Sequence, residues 1–180
     1  GLNLLLTYST RNTTEVGRTL GNLGVIKLQQ GRTEQAVDLL RQALAAVEAS
    51  QARSYSPILA ERRAELAFAL QMQDRWAESL ALFEARDRGL RSNAVQFART
   101  GSVRSDWAHA LIRNGRTDEA VEMMQRIVAY QQRIPYSDPQ ILARAKGFLA
   151  YALAARGDDQ RALPVFTEAL PALVRLVSGD

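Results

Sequence analysis

The sequence predicts an all-α protein, a solenoid of antiparallel helix pairs with about four repeats and eight long helices behind a short N-terminal stub. Three observations carry that prediction. The stretch from Leu20 to Leu44 reads as one helix-turn-helix unit, with Gly31 ending the first helix and Ala36, Leu40 and Ala43 running along the second. Turn positions Gly31, Asp74, Gly115 and Gly157 lie 43, 41 and 42 residues apart, a period that marks an array of two-helix repeats. Hydrophobic residues make up 47% of the 180 positions but aromatics only 7%, so the core must rest on Leu, Ala and Val, which suits helices.

The elements follow in order. Projected backwards, the period places Gly1 and Leu2 near the close of a preceding second helix. Residues 1–13 are therefore expected to end an earlier repeat, in a chain excised from a longer protein. Asn12-Thr13-Thr14 matches a glycosylation sequon, but Thr13 or Thr14 as a helix N-cap explains it more simply. Repeat one covers 14–54. Small residues Gly24, Ala36 and Ala43 let its two helices approach, while Leu20, Leu23 and Leu40 fill the space between them. Gly31 supplies a left-handed stop, and Thr33 is expected to cap the second helix. Glu48, where shorter repeats carry a terminating proline, implies about one further helical turn.

Repeat two covers 55–92 and starts at Ser56-Pro57, an N-cap followed by proline at the first helical position. Arg86 stands where a small residue is expected, so its second helix should pack loosely or fray. Repeats three and four cover 93–135 and 136–180. The segment Tyr136-Ser137-Asp138-Pro139 echoes Tyr55-Ser56-Pro57, and Trp76 and Trp107 hold signature positions expected in the core.

A period near 42 is closer to HEAT-type repeats than to the shorter 34-residue kind. Residue identity decides otherwise. A Leu-small pair, a Gly-type turn and a later Ala-x3-Leu/Phe recur in order, as in Leu23-Gly24, Gly31 and Ala36-Leu40, or Leu149-Ala150, Gly157 and Ala162-Phe166. This pattern resembles the tetratricopeptide repeat, with helices lengthened to about 18 residues or about 27 Å. The resemblance implies a right-handed superhelix. Repeat one, through Leu20-Gly21-Asn22-Leu23-Gly24, is similar to the repeats of kinesin light chains. Asn22 is not kept in the other three units, so recognition of the kinesin type is not implied.

Composition narrows the function. Twenty-three basic residues against nineteen acidic give a formal charge of +4, but the signs are interspersed and no basic-aromatic interleaving appears. Nucleic acid is not an expected partner. The absence of cysteine removes disulfides, thiolate metal sites and a cysteine nucleophile, and favours a cytoplasmic location. No apolar run approaches the roughly 18–20 residues a membrane span needs, so no membrane partner is expected.

Chemistry is sparse. Ser105 and His109 share a helix face, but a straight helix offers no oxyanion hole, and a polar residue on the groove face is the simpler reading. One histidine without cysteine leaves only carboxylates as further ligands, so no metal site is expected. Asp118-Glu119 and Asp158-Asp159 suit helix starts by favourable interaction with the helix dipole. The glycines carry no phosphate-loop fingerprint. No catalytic residue, cofactor or metal is expected, and the protein reads as no enzyme.

In the resembled family the first helix of each unit lines a concave groove. Carried over position by position, that implies Arg18, Val25 and Gln29 in repeat one and Phe68, Gln71 and Met72 in repeat two. Repeat three supplies His109, Ile112 and Arg113, and repeat four Arg144 and Tyr151. The Lys/Asn clamp for a terminal carboxylate is missing, since Gly21, Val25, Ala64 and Phe68 stand in its places. The resemblance thus implies a scaffold that binds a peptide, a partner protein or flanking domains of its own chain. Repeats three and four, around Tyr151-Ala152-Leu153-Ala154-Ala155-Arg156-Gly157, also resemble arrays that precede bacterial caspase-like (CHAT) protease domains. On that reading the chain would be a sensor or regulatory arm. Both repeat ends lack obvious polar caps, so weak homo-oligomerisation through them is expected.

Overall fold

A computed structural model describes the backbone of residues 2–50, 52–93, 104–135 and 138–178, with side chains between 13 and 175. Eight helices and no strands occur among the described residues. They are α1 (Leu2–Gln29), α2 (Thr33–Ala49), α3 (Pro57–Gln71) and α4 (Trp76–Arg91), then α5 (Ser105–Arg113), α6 (Thr117–Arg133), α7 (Pro139–Ala155) and α8 (Asp159–Ser178). They fall into two compact units, residues 1–102 with α1–α4 and residues 103–180 with α5–α8. The fold is an all-α helical repeat of the solenoid class.

All four turns share one geometry. Gly31, Gly115 and Gly157 have φ of 72°, 76° and 84°, and Asp74 takes the same left-handed region at 56°. The residue after each donates its N–H back across the turn, Arg32 to Lys27, Arg75 to Leu70, Arg116 to Leu111 and Asp158 to Leu153, at 2.9–3.0 Å. This six-residue closure satisfies carbonyls that the helix end would otherwise orphan. The period in the sequence is therefore a period of backbone conformation.

Within the first unit, α1 lies on α2, and α3 closes over both. Close approach depends on glycine: a Cβ at Gly17 would stand 2.6 Å from Val47 Cγ2, and one at Gly24 2.7 Å from Leu40 Cγ. Ala36, Leu40 and Ala43 are fully buried, as the small-residue argument requires. Val37, Leu40, Leu44 and Val47 of α2 form one core with Leu59, Leu66, Ala69 and Leu70 of α3. Burial of such side chains stabilises by about 1.5–3 kcal/mol each. In the second unit α7 packs on α5 and α6, and α8 pairs with α7.

Several local expectations fail for physical reasons. Thr13 and Thr14 lie inside α1, which runs unbroken through them, so neither is an N-cap. Thr33 is the first residue of α2 rather than its cap; Arg32 holds the cap position, and the Thr33 hydroxyl donates to Gly31 O. The corresponding arginines, Arg75 and Arg116, reach forward as bidentate donors to Glu78 (both bonds 2.6 Å) and Glu119 (2.6 and 2.7 Å). α2 stops at Ala49, one residue beyond Glu48, where the Ser50 hydroxyl donates to Val47 O at 2.6 Å. α4 does not fray at Arg86: that side chain is buried, and the helix continues to Arg91 with Leu90 wholly enclosed. Trp107 is buried, but Trp76 is only half-buried, its indole N–H donating to Asp74 Oδ1 at 3.1 Å. Leu23 does not fill the α1–α2 space; it is 41% exposed. α5 spans nine residues, half the expected length, and Tyr136 and Ser137 lie outside the described residues. Asp138 does cap α7, accepting from Gln140 N at 2.8 Å ahead of Pro139.

Candidate functional site

The candidate residues occupy the first helices of each unit. In the first, Arg18 and Gln29 are exposed on α1, Arg18 lying 3.7 Å from Glu15, and Val25 is half-buried. Phe68 and Met72 project into solvent at the end of α3, one turn apart. Gln71 differs from the sequence-based placement. It is 4% exposed, and its amide donates to Ser79 Oγ at 3.0 Å, so it braces α3 against α4 and presents nothing to a ligand.

Between α1 and α3 lies a feature that sequence reasoning missed. Arg62 is 2% exposed, and a Cβ at Gly21 would fall within its guanidinium. Its Nη2 lies 3.1 Å from Glu61 and its Nη1 3.0 Å from Glu65, the latter not aligned for a hydrogen bond. The dipeptide Arg62-Arg63 reads as solvated surface. The signal that would have found Arg62 is its spacing, four residues before Leu66 on the packed side of α3, opposite a glycine on α1.

In the second unit His109 on α5 meets Tyr151 on α7, ring centroids 5.5 Å apart and planes at 86°. This edge-to-face contact is the favoured aromatic geometry. Burial, and secondarily the charge of Arg113, hold the imidazole below its ordinary pKa of 6.5, so it is neutral at neutral pH. Ile112 is half-buried beside it, while Arg113, Arg144 and Tyr151 are exposed. Asp106 is committed to Arg104 at 2.7 Å. α7 contains no acidic residue, and its one buried cation, Lys146, pairs with Glu168 of α8. The exposed charge on this pair of first helices is therefore basic. Alongside, Gly147, Ala150, Tyr151 and Ala154 of α7 and Asp159, Ala162, Leu163 and Phe166 of α8 line an open depression of about 470 Å³.

Chemically, these faces offer apolar and aromatic contact with cations beside it. Among the described residues no group of three or more His, Cys, Asp or Glu side chains is placed to hold a metal ion. Nor is any helix there long and apolar enough to cross a membrane.

Repeated antiparallel pairs closed by one turn geometry define a helical-repeat protein of the kind that presents helix faces to partners. Models of the tetratricopeptide repeat match residues 16–49, 102–126 and 147–179, which between them span more than half of the chain. The chain belongs to the tetratricopeptide repeat family. Among solved structures, it is similar to a protein of Podosopora anserina described as a kinesin light chain with nearly identical TPR-like repeats. The TM-score is 0.61 at 22% identity, over 96% of this chain and 93% of that one. A point-variant form of such repeats from the same organism gives 0.69 at 23% identity, over 90% and 76%. BtubC (BKLC) of P. vanneervenii gives 0.74 at 18% identity, covering 89% of this chain and 64% of that one. At these identities the likeness is one of fold. No curated protein sequence matches the chain.

Proposed function

We propose that the chain is a non-enzymatic scaffold that binds a peptide or partner protein across the faces of its first helices. Tetratricopeptide repeats are in general protein-interaction modules, and the reading here is narrower than that. The observation that carries it is the face around Tyr151, which holds an exposed aromatic ring already oriented by His109 on helices whose exposed charge is basic. Apolar anchors ringed by charge suit an extended or helical peptide, and the basic surround favours one with acidic flanks. Phe68 and Met72 offer a second apolar pair in the first unit.

The test compares the wild type with a Phe68→Ala, Tyr151→Ala, Arg113→Glu triple variant of matched thermal stability. A partner captured from the source cell is purified and titrated against both. Loss of affinity of at least about tenfold, or about 1.4 kcal/mol, is the expected result. Equal affinity would place recognition on another surface. Capture of nothing by either protein would turn the reading towards an intramolecular arm acting on flanking domains, as in a caspase-like protease.

A further inference from the structure

The four turns share one backbone conformation but not one chemistry. The residue before the left-handed position is Gln30, Gln73, Asn114 or Arg156. Asn114-Gly115 is the only Asn-Gly pair in the chain, since the other four asparagines precede Leu4, Thr13, Leu23 and Ala94. Asparagine is among the thermolabile side chains. Its Cγ can be attacked by the backbone nitrogen of the next residue, and glycine, lacking a Cβ, leaves that approach open.

The folded turn withholds this reaction in three ways. At Asn114 ψ is 15°, which eclipses the Gly115 nitrogen with the residue's own nitrogen rather than with the Cβ that carries Cγ. The Asn114 Nδ2 donates to Ala110 O at 2.7 Å, and the Gly115 N–H donates to Ile112 O at 3.0 Å. All three restraints belong to the last turn of α5. At nine residues α5 is the shortest of the described helices, and short helices and helix ends open locally at small free-energy cost.

We propose that Asn114 is a deamidation site gated by opening of the last turn of α5. Once that turn opens, the Gly115 nitrogen loses its proton to solvent and bonds to Cγ. The Cγ–Nδ2 bond breaks, and Nδ2 takes up a proton and leaves as ammonia. Water then opens the five-membered imide at one of its two carbonyl carbons, giving aspartate or, with the main chain rerouted through Cβ, isoaspartate. Nothing is oxidised or reduced, and water is the only co-reactant. The product cannot rebuild the turn. A carboxylate replaces the donor to Ala110 O and places negative charge at a helix C-terminus, where the dipole disfavours it. Isoaspartate also inserts a methylene directly before Gly115 and so displaces the Arg116 N–H from Leu111 O, the 2.9 Å bond that closes the turn. The reaction needs no ligand and does not depend on the peptide-binding reading.

Peptide mapping by mass spectrometry tests it on the whole chain, incubated in mildly alkaline buffer with and without guanidinium chloride. The unfolded chain should convert Asn114 well ahead of the other asparagines, with isoaspartate the larger product, and Gly115→Ala should slow that conversion towards theirs. The folded chain should form the same products at least about tenfold more slowly, the factor for an opening free energy of about 1.4 kcal/mol. Gly17→Ala, in the other unit, should leave the folded-state rate at Asn114 unchanged. An Asn114 that converts no faster than Asn22 in the unfolded chain, or that stays intact in the folded one, overturns the proposal. Equal folded and unfolded rates would remove the gate, and a folded-state rate raised by Gly17→Ala would move it from α5 to unfolding of the whole chain.

Discussion

The Arg62 guanidinium fills the space a side chain at Gly21 would need, so α1 and α3 meet through an arginine laid on a bare backbone. A buried charge is costly unless paired, and here Glu61 and Glu65 supply the pairing from the same helix. The Glu61 side chain is well exposed, whereas that of Glu65 is only 19% exposed, so the Glu65 contact is the less screened of the two. Arg62→Met should cost about 3 kcal/mol, because it removes a buried cation that pairs with the Glu65 carboxylate. Adding Glu65→Gln should recover part of that loss. A double-mutant cycle from urea unfolding checks it, and strict additivity would mean the two side chains do not interact.

The turn residues make a second prediction. Alanine in the left-handed region costs roughly 1–2 kcal/mol, so Gly115→Ala and Gly157→Ala should each lower stability by that amount. No neighbour stands within 4 Å of a Cβ at either site, so the loss would be conformational alone. Asp74→Gly should behave differently. It relieves a strained backbone but removes the acceptor for the Trp76 indole, and a net change within about 0.5 kcal/mol of zero is expected. Thermal melts of the three variants decide it; a large loss for Asp74→Gly would mean that the Trp76 bond outweighs the backbone strain.

Stability should fall as pH drops below neutral. His109 is held below its ordinary 6.5, chiefly by burial against Tyr151 and α5 neighbours and then by Arg113. A depressed folded-state pKa means the unfolded chain binds the proton more readily. The contribution is thus fully present above 6.5 and is lost as pH falls through the folded value. Glu78 and Glu119, lowered from 4.5 by hydrogen bonds from Arg75 and Arg116, act in the same sense at lower pH. His109→Gln should flatten the decline that begins just below pH 6.5 while leaving the carboxylate limb intact. Unfolding midpoints at several pH values measure this, and an unchanged profile would show that His109 titrates alike in both states.

The repeat was legible because its turn is a backbone requirement: glycine, or aspartate at Asp74, recurs where φ must be positive. The small residues at Gly24, Ala36 and Ala43 were legible for a similar reason, since nothing larger fits between α1 and α2. Buried charge was not legible. Arg62, Arg86 and Lys146 look like solvated positions, and only the fold shows that each is enclosed. The forward-reaching arginines also escaped notice, because arginine is not a capping type and its partner Glu78 or Glu119 reads as a dipole residue. α1 is apolar on two sides, so periodicity alone could not show that Leu23 stands exposed. Of the candidate site residues, Phe68, Met72 and Tyr151 are exposed, whereas Gln71 turns inward because Ser79 offers its amide a buried acceptor.

Three helical glycines give a series in which the sign of the effect should change. Replacing glycine by alanine inside a helix gains up to about 1 kcal/mol of propensity, while overpacking costs about 1–3 kcal/mol. At Gly17 the new Cβ would stand 2.9 Å from Ala43 O as well as 2.6 Å from Val47 Cγ2, and a backbone carbonyl cannot step aside. Gly17→Ala should therefore be clearly destabilising, by about 1–2 kcal/mol net. At Gly24 the obstruction is the Leu40 side chain, which is fully buried and has little room to rotate, so a smaller loss is expected. At Gly147 the only near neighbour is Leu173 Cδ1 at 3.3 Å, the end of a flexible side chain. Gly147→Ala should stabilise, by up to about 1 kcal/mol. Urea unfolding of the three variants ranks them directly. If Gly17→Ala proved as benign as Gly147→Ala, α1 would not sit as closely on α2 as described, and the small-residue account of this helix pair would fail.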